Sequence, residues 1–278
     1  MKTTELTWKT RDGLDIHAFA WEPMGKPRAV VCLMHGQGEH AARYEHVARA
    51  LTAAGYAILA PDLRGHGKSG GPRGHVPGYE SYMEDIDLLL EQAAARYPRL
   101  PQFLYGHSLG GALVINYALR RKPSLAGVIA SSPMLRLAFK PPAYKILLGR
   151  LFHPVMPGFS EPTGLEHAAL SRNPAIVEAY GRDPLVHDRI SAAAYFGFMD
   201  AGEWAIQHAA EFPLPLLLMH GTADRLASME ASQEFARHSG RHVTLHLWEG
   251  GYHELHNDLE QEDVLQIMII WMDARLAE

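Results

Sequence analysis

The chain has 278 residues, 47% of them hydrophobic, and a formal charge of −5 at pH 7. So much apolar material supports a large buried core and excludes a disordered chain. The small acidic excess gives no footprint for nucleic acid. The polar opening MKTTELTWKT lacks the apolar segment of a secretory signal, and no apolar run reaches the ~18 residues of a membrane-spanning helix. A single cysteine, Cys32, excludes an internal disulfide; within AVVCLM it reads as a small core residue. A cytoplasmic protein is therefore expected, of oligomeric state that composition leaves open.

In chain order, residues 4–10 and 14–21 flank Arg11-Asp12-Gly13 and read as a hairpin, because Asp-Gly favours a tight turn. Residues 28–34 form a continuous apolar run, suited to a strand buried on both faces. A helix is expected over 44–54, a strand over 56–60, a loop over 62–78 and an amphipathic helix over 79–97. A strand over 102–105, a helix over 109–121 and a strand over 125–131 follow. From Leu135 to Ala210 no strand is expected, only helical pieces punctuated by prolines, among them Pro154. The rhythm resumes with a strand over 214–221, a helix over 229–238, a strand over 242–248 and a helix over 260–276. Alternating buried strands and helices predict an α/β class with a mostly parallel sheet flanked by helices. Residues 1–134 and 211–278 would form the core and 135–210 a helical insertion, expected to be a mobile cap that controls substrate entry.

The sequence Gly106-His107-Ser108-Leu109-Gly110 matches G-x-S-x-G between a predicted strand and a predicted helix, the context of a nucleophile elbow. Ser108 is the candidate nucleophile. Acyl transfer places negative charge on a carbonyl oxygen that preorganised N–H groups must meet. The backbone amides of Leu109, after the serine, and of Gln37, in His35-Gly36-Gln37-Gly38 after the third strand, are the candidates. The chain order Ser, acid, His selects Asp224, at the end of the strand over 214–221, over Asp183, Asp188 and Asp200 in the insertion. His253 follows the last strand and is the candidate general base, its ordinary pKa suiting that work near neutral pH; His256 competes. A zinc reading of His253-Glu254-Leu255-His256 fails because the second histidine comes one residue too early for H-E-x-x-H, so no metal is expected.

With these pieces placed, the chain resembles the monoacylglycerol lipase family of α/β-hydrolases. The resemblance rests on HGQGEHAARY (35–44), DLRGHGKSGG (62–71), GHSLGG (106–111), LSRNPAIVEAYGRDPLV (170–186), GTADRL (221–226) and EGGYHELHND (249–258). It implies hydrolysis of a monoacylglycerol to glycerol and fatty acid without a cofactor. It also implies a helical cap over an apolar acyl tunnel, and a polar glycerol pocket at Glu39, Arg43, Tyr180 and His256. Gln37 departs from the small residue common at its position, and its side chain is expected to narrow the acyl path. A lysophospholipase or broad carboxylesterase shares the triad and stays open, as does an acyltransferase. A non-catalytic receptor is disfavoured by the full set of catalytic groups. The apolar stretch Tyr144, Ile146, Leu147, Leu148, Leu151, Phe152, Val155 and Met156, with Lys140, Lys145 and Arg150, suits either transient contact with a lipid surface or packing on the core. Arg64, Lys68 and Arg73 read as a solvated rim.

Overall fold

In the computed structural model, which describes residues 1–152 and 155–277, the apolar runs assemble into one eight-stranded sheet. Its strands are β1 (Lys2–Lys9), β2 (Asp15–Glu22), β3 (Ala29–Met34), β4 (Tyr56–Pro61), β5 (Gln102–His107), β6 (Gly127–Ser131), β9 (Leu216–Gly221) and β10 (Val243–Trp248). The order is β1-β2-β4-β3-β5-β6-β9-β10. Pairing is parallel from β4 to β10, and the hairpin β1–β2 adds antiparallel at one edge. β3, β4, β6 and β9 are buried at every residue, as continuous apolar runs demand, whereas β10, at the other edge, is only partly covered.

Helices cover both faces. On one, α1 (Glu45–Ala53) and α8 (Gln261–Leu276) bury Val47, Leu51, Met268 and Met272 against Val31, Ile58 and Leu217. On the other, α2 (Tyr79–Arg96), α3 (Leu109–Arg121) and α7 (Met229–His238) bury Ile86, Leu113 and Phe235 against Val30, Leu104 and Leu218. Each such side chain removed from water contributes about 1.5–3 kcal/mol.

Between β6 and β9 lie α4 (Ala143–Phe152), α5 (Pro174–Arg182) and α6 (Ala192–Gln207). They are joined by a two-stranded antiparallel pair that periodicity did not predict, β7 (Ser160–Pro162) with β8 (Arg189–Ser191). Strands of three residues carry too little alternation to register as a pattern. The insertion is also not one detached unit. α6 buries Phe198, Ala205 and Ile206 in the same cluster as Ile86 and Leu113, and Gly202 meets Leu135 so closely that a Cβ there would lie 2.0 Å from the Leu135 carbonyl oxygen. Pro154 and the side chains of Lys145, Leu148 and Phe152 lie outside the described residues.

One expectation is corrected outright. Arg64 is not on a solvated rim but fully buried. Its guanidinium makes a two-pronged contact with Asp85 (2.6 and 2.8 Å) and reaches Asp12 in the hairpin turn at 2.9 Å. Glycines 65, 67, 71 and 74 all take positive φ and curl the loop around it. Lys68 and Arg73 do face solvent.

Candidate active site

β5 runs straight into α3 through Ser108, whose φ of 54° and ψ of −115° lie outside the regions side chains favour. The turn is held by Ser108 N–H donating to the Ser131 carbonyl (3.0 Å) and by the Ser108 carbonyl accepting from Met134 N–H (2.9 Å). The flanking glycines are steric requirements. A Cβ on Gly106 would lie 2.2 Å from the Gly110 carbonyl oxygen, and one on Gly110 2.0 Å from that of Met34.

The structure brings together the three residues separated by 116 and 29 positions in the chain. Ser108 Oγ lies 2.9 Å from His253 Nε2, and His253 Nδ1 lies 2.7 Å from Asp224 Oδ2. Asp224 is fully buried; its Oδ1 accepts from the amides of Leu226 (2.8 Å) and Ala227 (3.1 Å). Burial alone would raise its pKa, but His253 and His220 more than reverse that and keep the carboxylate well below its usual range. Ionised Asp224 can only accept, so Nδ1 of His253 carries the proton and Nε2 is free to accept from Ser108. For His253, burial pulls the pKa down and Asp224 pulls it up, and the net displacement is upward. Such an array can take the Ser108 proton as attack begins and return it to a leaving alcohol. Neither ring nitrogen of His256, the competing base, has a hydrogen-bond partner among the described residues, Ser108 included, and Asp183 is instead paired with His40 at 2.9 Å.

Gln37 and Leu109 both line the cavity at Ser108, and among the described residues neither amide N–H has a hydrogen-bond acceptor. The Gln37 side chain has its own partner in the insertion. It turns toward β8, where Nε2 donates to the Arg189 carbonyl at 2.8 Å.

The polar wall differs from the expected one. Glu39 and Tyr180 line the cavity, but Arg43 and His256 do not; Glu254 stands there as well. Arg43 lies behind the two carboxylates. Its two NH groups reach Glu254 at 2.8 and 2.7 Å, NH1 also bonds Glu39, and its guanidinium lies 4.7 Å from the centre of the Tyr180 ring. A short 3-10 turn over Leu255–Asn257 draws His256 inward, so that its ring stacks on Tyr44 (4.7 Å) and meets the edge of His107 (4.8 Å). Burial holds His256 and His107 neutral, His107 at about 4. Glu39 accepts from Gly36 N–H (2.6 Å) and Tyr44 O–H (2.7 Å) on one oxygen and from Arg43 on the other. Burial pushes both Glu39 and Glu254 up, but Arg43 outweighs it and both stay ionised. Each carboxylate has about four acceptor positions. Glu39 uses three, and Glu254 uses three, two for Arg43 and one for Asn257. The wall therefore carries two open acceptors and a net charge of about −1. Glu254 is not marked by the triad pattern; its signal in the sequence is a carboxylate next to the base in a loop that must turn toward Ser108.

Beyond this wall the cavity opens to about 1170 Å³ and is mostly apolar, with Leu137, Phe139, Met156, Leu165, Tyr195 and Phe198 among its lining.

A family described as "Serine aminopeptidase, S33" matches residues 25–260. The monoacylglycerol lipase of Mycolicibacterium smegmatis is 35% identical over 266 residues, covering 95% of each chain. The chain belongs to the monoacylglycerol lipase family of α/β-hydrolases. An abhydrolase domain-containing protein of Dictyostelium discoideum is 36% identical over 270 residues; the match takes in 96% of this chain but 28% of that protein's length. Among solved structures, the monoacylglycerol lipase of Paleococcus ferrophilus superposes with a TM-score of 0.85 at 35% identity, covering 99% of this chain and all of the other.

Proposed function

We propose that the protein hydrolyses monoacylglycerols to glycerol and free fatty acid. Ser108 Oγ attacks the ester carbonyl while His253 takes its proton, and the amides of Gln37 and Leu109 hold the oxyanion. His253 then protonates the departing glycerol, leaving an acyl-serine. Water, deprotonated by His253, attacks that ester, and Ser108 regains its proton as the fatty acid leaves. The chain and water supply every proton transfer, and the scheme requires no cofactor.

The observation that carries the substrate assignment is the pair of open carboxylate acceptors, Glu39 and Glu254, facing a cavity of lipid size beside Ser108. Two free hydroxyls of an esterified glycerol can fill them. A triester would leave both unpaired, at about 1–3 kcal/mol each or more for a charged group. A phosphate-bearing head group would meet the excess negative charge, which disfavours the lysophospholipase reading. Replacing Glu39 by Gln keeps an acceptor for Gly36 N–H. It is expected to reduce kcat/KM for monooleoylglycerol at least ~ten-fold more than for methyl oleate. Equal losses on the two esters would remove Glu39 from alcohol recognition.

Residues 139–152 are proposed as the movable part of the cap. The later segment is tied to the catalytic loops. Leu170 accepts from Glu254 N–H (2.8 Å), and Arg172 reaches Asp258 (2.9 Å). His187 donates to Gly38 (2.9 Å), and Arg189 accepts from Gln37. The earlier segment and the residues just after it leave Phe139, Tyr144, Leu147, Leu151, Val155, Met156 and Phe159 exposed, an apolar patch suited to transient contact with a membrane or micelle that holds the substrate. Among the described residues no helix is long and apolar enough to cross a membrane. In hydrogen exchange, amides of 143–151 are expected to exchange at least ~100-fold faster than those of 192–207 and to slow when an acyl ligand binds. Equal protection of the two segments would contradict a hinged division of the cap.

A further inference from the structure

β9 delivers a second histidine to Asp224. His220 is fully buried and lies four residues before the acid. Its Nε2 is 3.1 Å from Asp224 Oδ2, the oxygen that also receives His253 Nδ1–H, and 3.2 Å from the Ala227 carbonyl. Its Nδ1 is 2.8 Å from Ser232 Oγ in α7. The partners fix the tautomer. A carbonyl and a carboxylate can only accept, so Nε2 carries the hydrogen, and Nδ1, left bare, accepts from the Ser232 hydroxyl.

We propose that His220, held by Ser232, is a positioning residue for the triad: its Nε2–H is shared between Ala227 and Asp224 Oδ2, fixing the plane of the carboxylate and drawing electron density from the oxygen that binds His253. The chain Ser232–His220–Asp224–His253–Ser108 then runs from α7 through β9 to the nucleophile. A donor on Oδ2 makes that oxygen a weaker partner for the His253 proton. The basicity of His253 is thereby set from the far side of Asp224. A merely packed histidine between β9 and α7 would need Ser232 and Ala227 but would leave His253 unaffected.

The groups facing these rings limit what else can shift the titration. Asp224, Glu254, Glu39 and His107 act on His253, and the charged group in contact with His220 is Asp224. None except Asp224 touches both imidazoles through a hydrogen bond or close ion contact among the described residues.

The inference rests on Asp224 serving as the triad acid, which Asp224→Asn tests separately by loss of turnover. For His220 the readout is the pH profile of kcat/KM on a short soluble ester, with thermal stability measured alongside. His220→Leu removes the N–H. Its kcat is expected to fall about ten-fold with little change in KM. Its acid limb should move upward by roughly half a pH unit, because Asp224, relieved of one donor, holds the His253 proton more tightly. His220→Gln, which can present an amide N–H at similar reach, should restore most of both. Ser232→Ala, a small change that releases the tautomer, should shift the limb in the same direction by less. The proton between His253 and Asp224 should move in the one-dimensional proton spectrum of each shifted variant. If the limb and that resonance stay fixed in both His220→Leu and Ser232→Ala, and these variants differ from wild type only in stability, His220 is packing and the proposal fails. If His220→Leu does not fold, Ser232→Ala decides it: a shifted limb and resonance support the proposal, and unshifted ones overturn it.

Discussion

Ser108→Ala is expected to lose about 10⁴–10⁶ of kcat while remaining folded, and Asp224→Asn or His253→Ala to lose amounts of similar order. The distances leave no substitute. Only His253 is within hydrogen-bonding reach of Ser108 Oγ among the described residues, and Asp224 alone fixes its Nδ1 proton. Because the three act as one unit, the double variant Ser108→Ala/His253→Ala should be scarcely slower than the worse of the singles. The wild-type pH profile follows from the same geometry. His253 works as a base only when unprotonated, and Asp224 raises its pKa, so kcat/KM should climb with pH through one ionisation above the ordinary value of ~6.5. A folded Ser108→Ala enzyme with substantial turnover would refute the nucleophile assignment. A limb well below 6.5 would refute the electrostatic account of His253.

Arg43→Ala should be the most destabilising change outside the apolar core. Arg43 is the cation between Glu39 and Glu254, with all three side chains nearly removed from solvent. Removing it leaves two buried carboxylates without a counter-charge, a loss of about 3–5 kcal/mol. The sign of the pH dependence makes the prediction specific. In the wild type both carboxyl pKa values are depressed. The stability they contribute is therefore present above the unfolded value of ~4.3 and is lost as pH falls through the folded values. Without Arg43, burial and mutual repulsion raise them instead. The folded variant then binds protons more tightly than the unfolded chain and gains stability as pH falls from 8 toward 5. Thermal unfolding of both proteins across that range checks this. Parallel Tm curves, or a drop of less than a few degrees at pH 7.5, would show that the cluster is not the charge-balanced unit described.

The strongly patterned parts of the molecule were legible before any coordinates. The apolar runs at 28–34, 56–60 and 214–221 could only be strands covered on both faces, and they became β3, β4 and β9. The glycines around Ser108 declared a turn too tight for side chains, and the chain order of Ser108, Asp224 and His253 foretold residues that the fold brings within 3 Å of one another in turn. What was hidden depends on partners distant in sequence. Arg64 looked solvent-facing because nothing local shows that Asp12 and Asp85 will close over it. His256 looked like a pocket residue because spacing cannot show a 3-10 turn drawing its ring behind His107. His220 gave no periodic or motif signal, and Glu254 stood inside a quoted motif without a role assigned to it. Their contacts form only where the loop after β10 and the end of β9 meet, Glu254 with Arg43 and His220 with Asp224.

The reading of the protein as a glycerol-monoester hydrolase is tested most directly by kcat/KM of the wild-type enzyme on a set of esters sharing one acyl chain. The set is monooleoylglycerol, oleoyl lysophosphatidylcholine, methyl oleate and trioleoylglycerol, with an aminoacyl anilide as the peptidase arm. Filling two buried acceptors without bringing negative charge to Glu39 and Glu254 should favour monooleoylglycerol over each of the others by about ten-fold or more. A lysophospholipid or anilide turned over as fast as monooleoylglycerol, or faster, would contradict it.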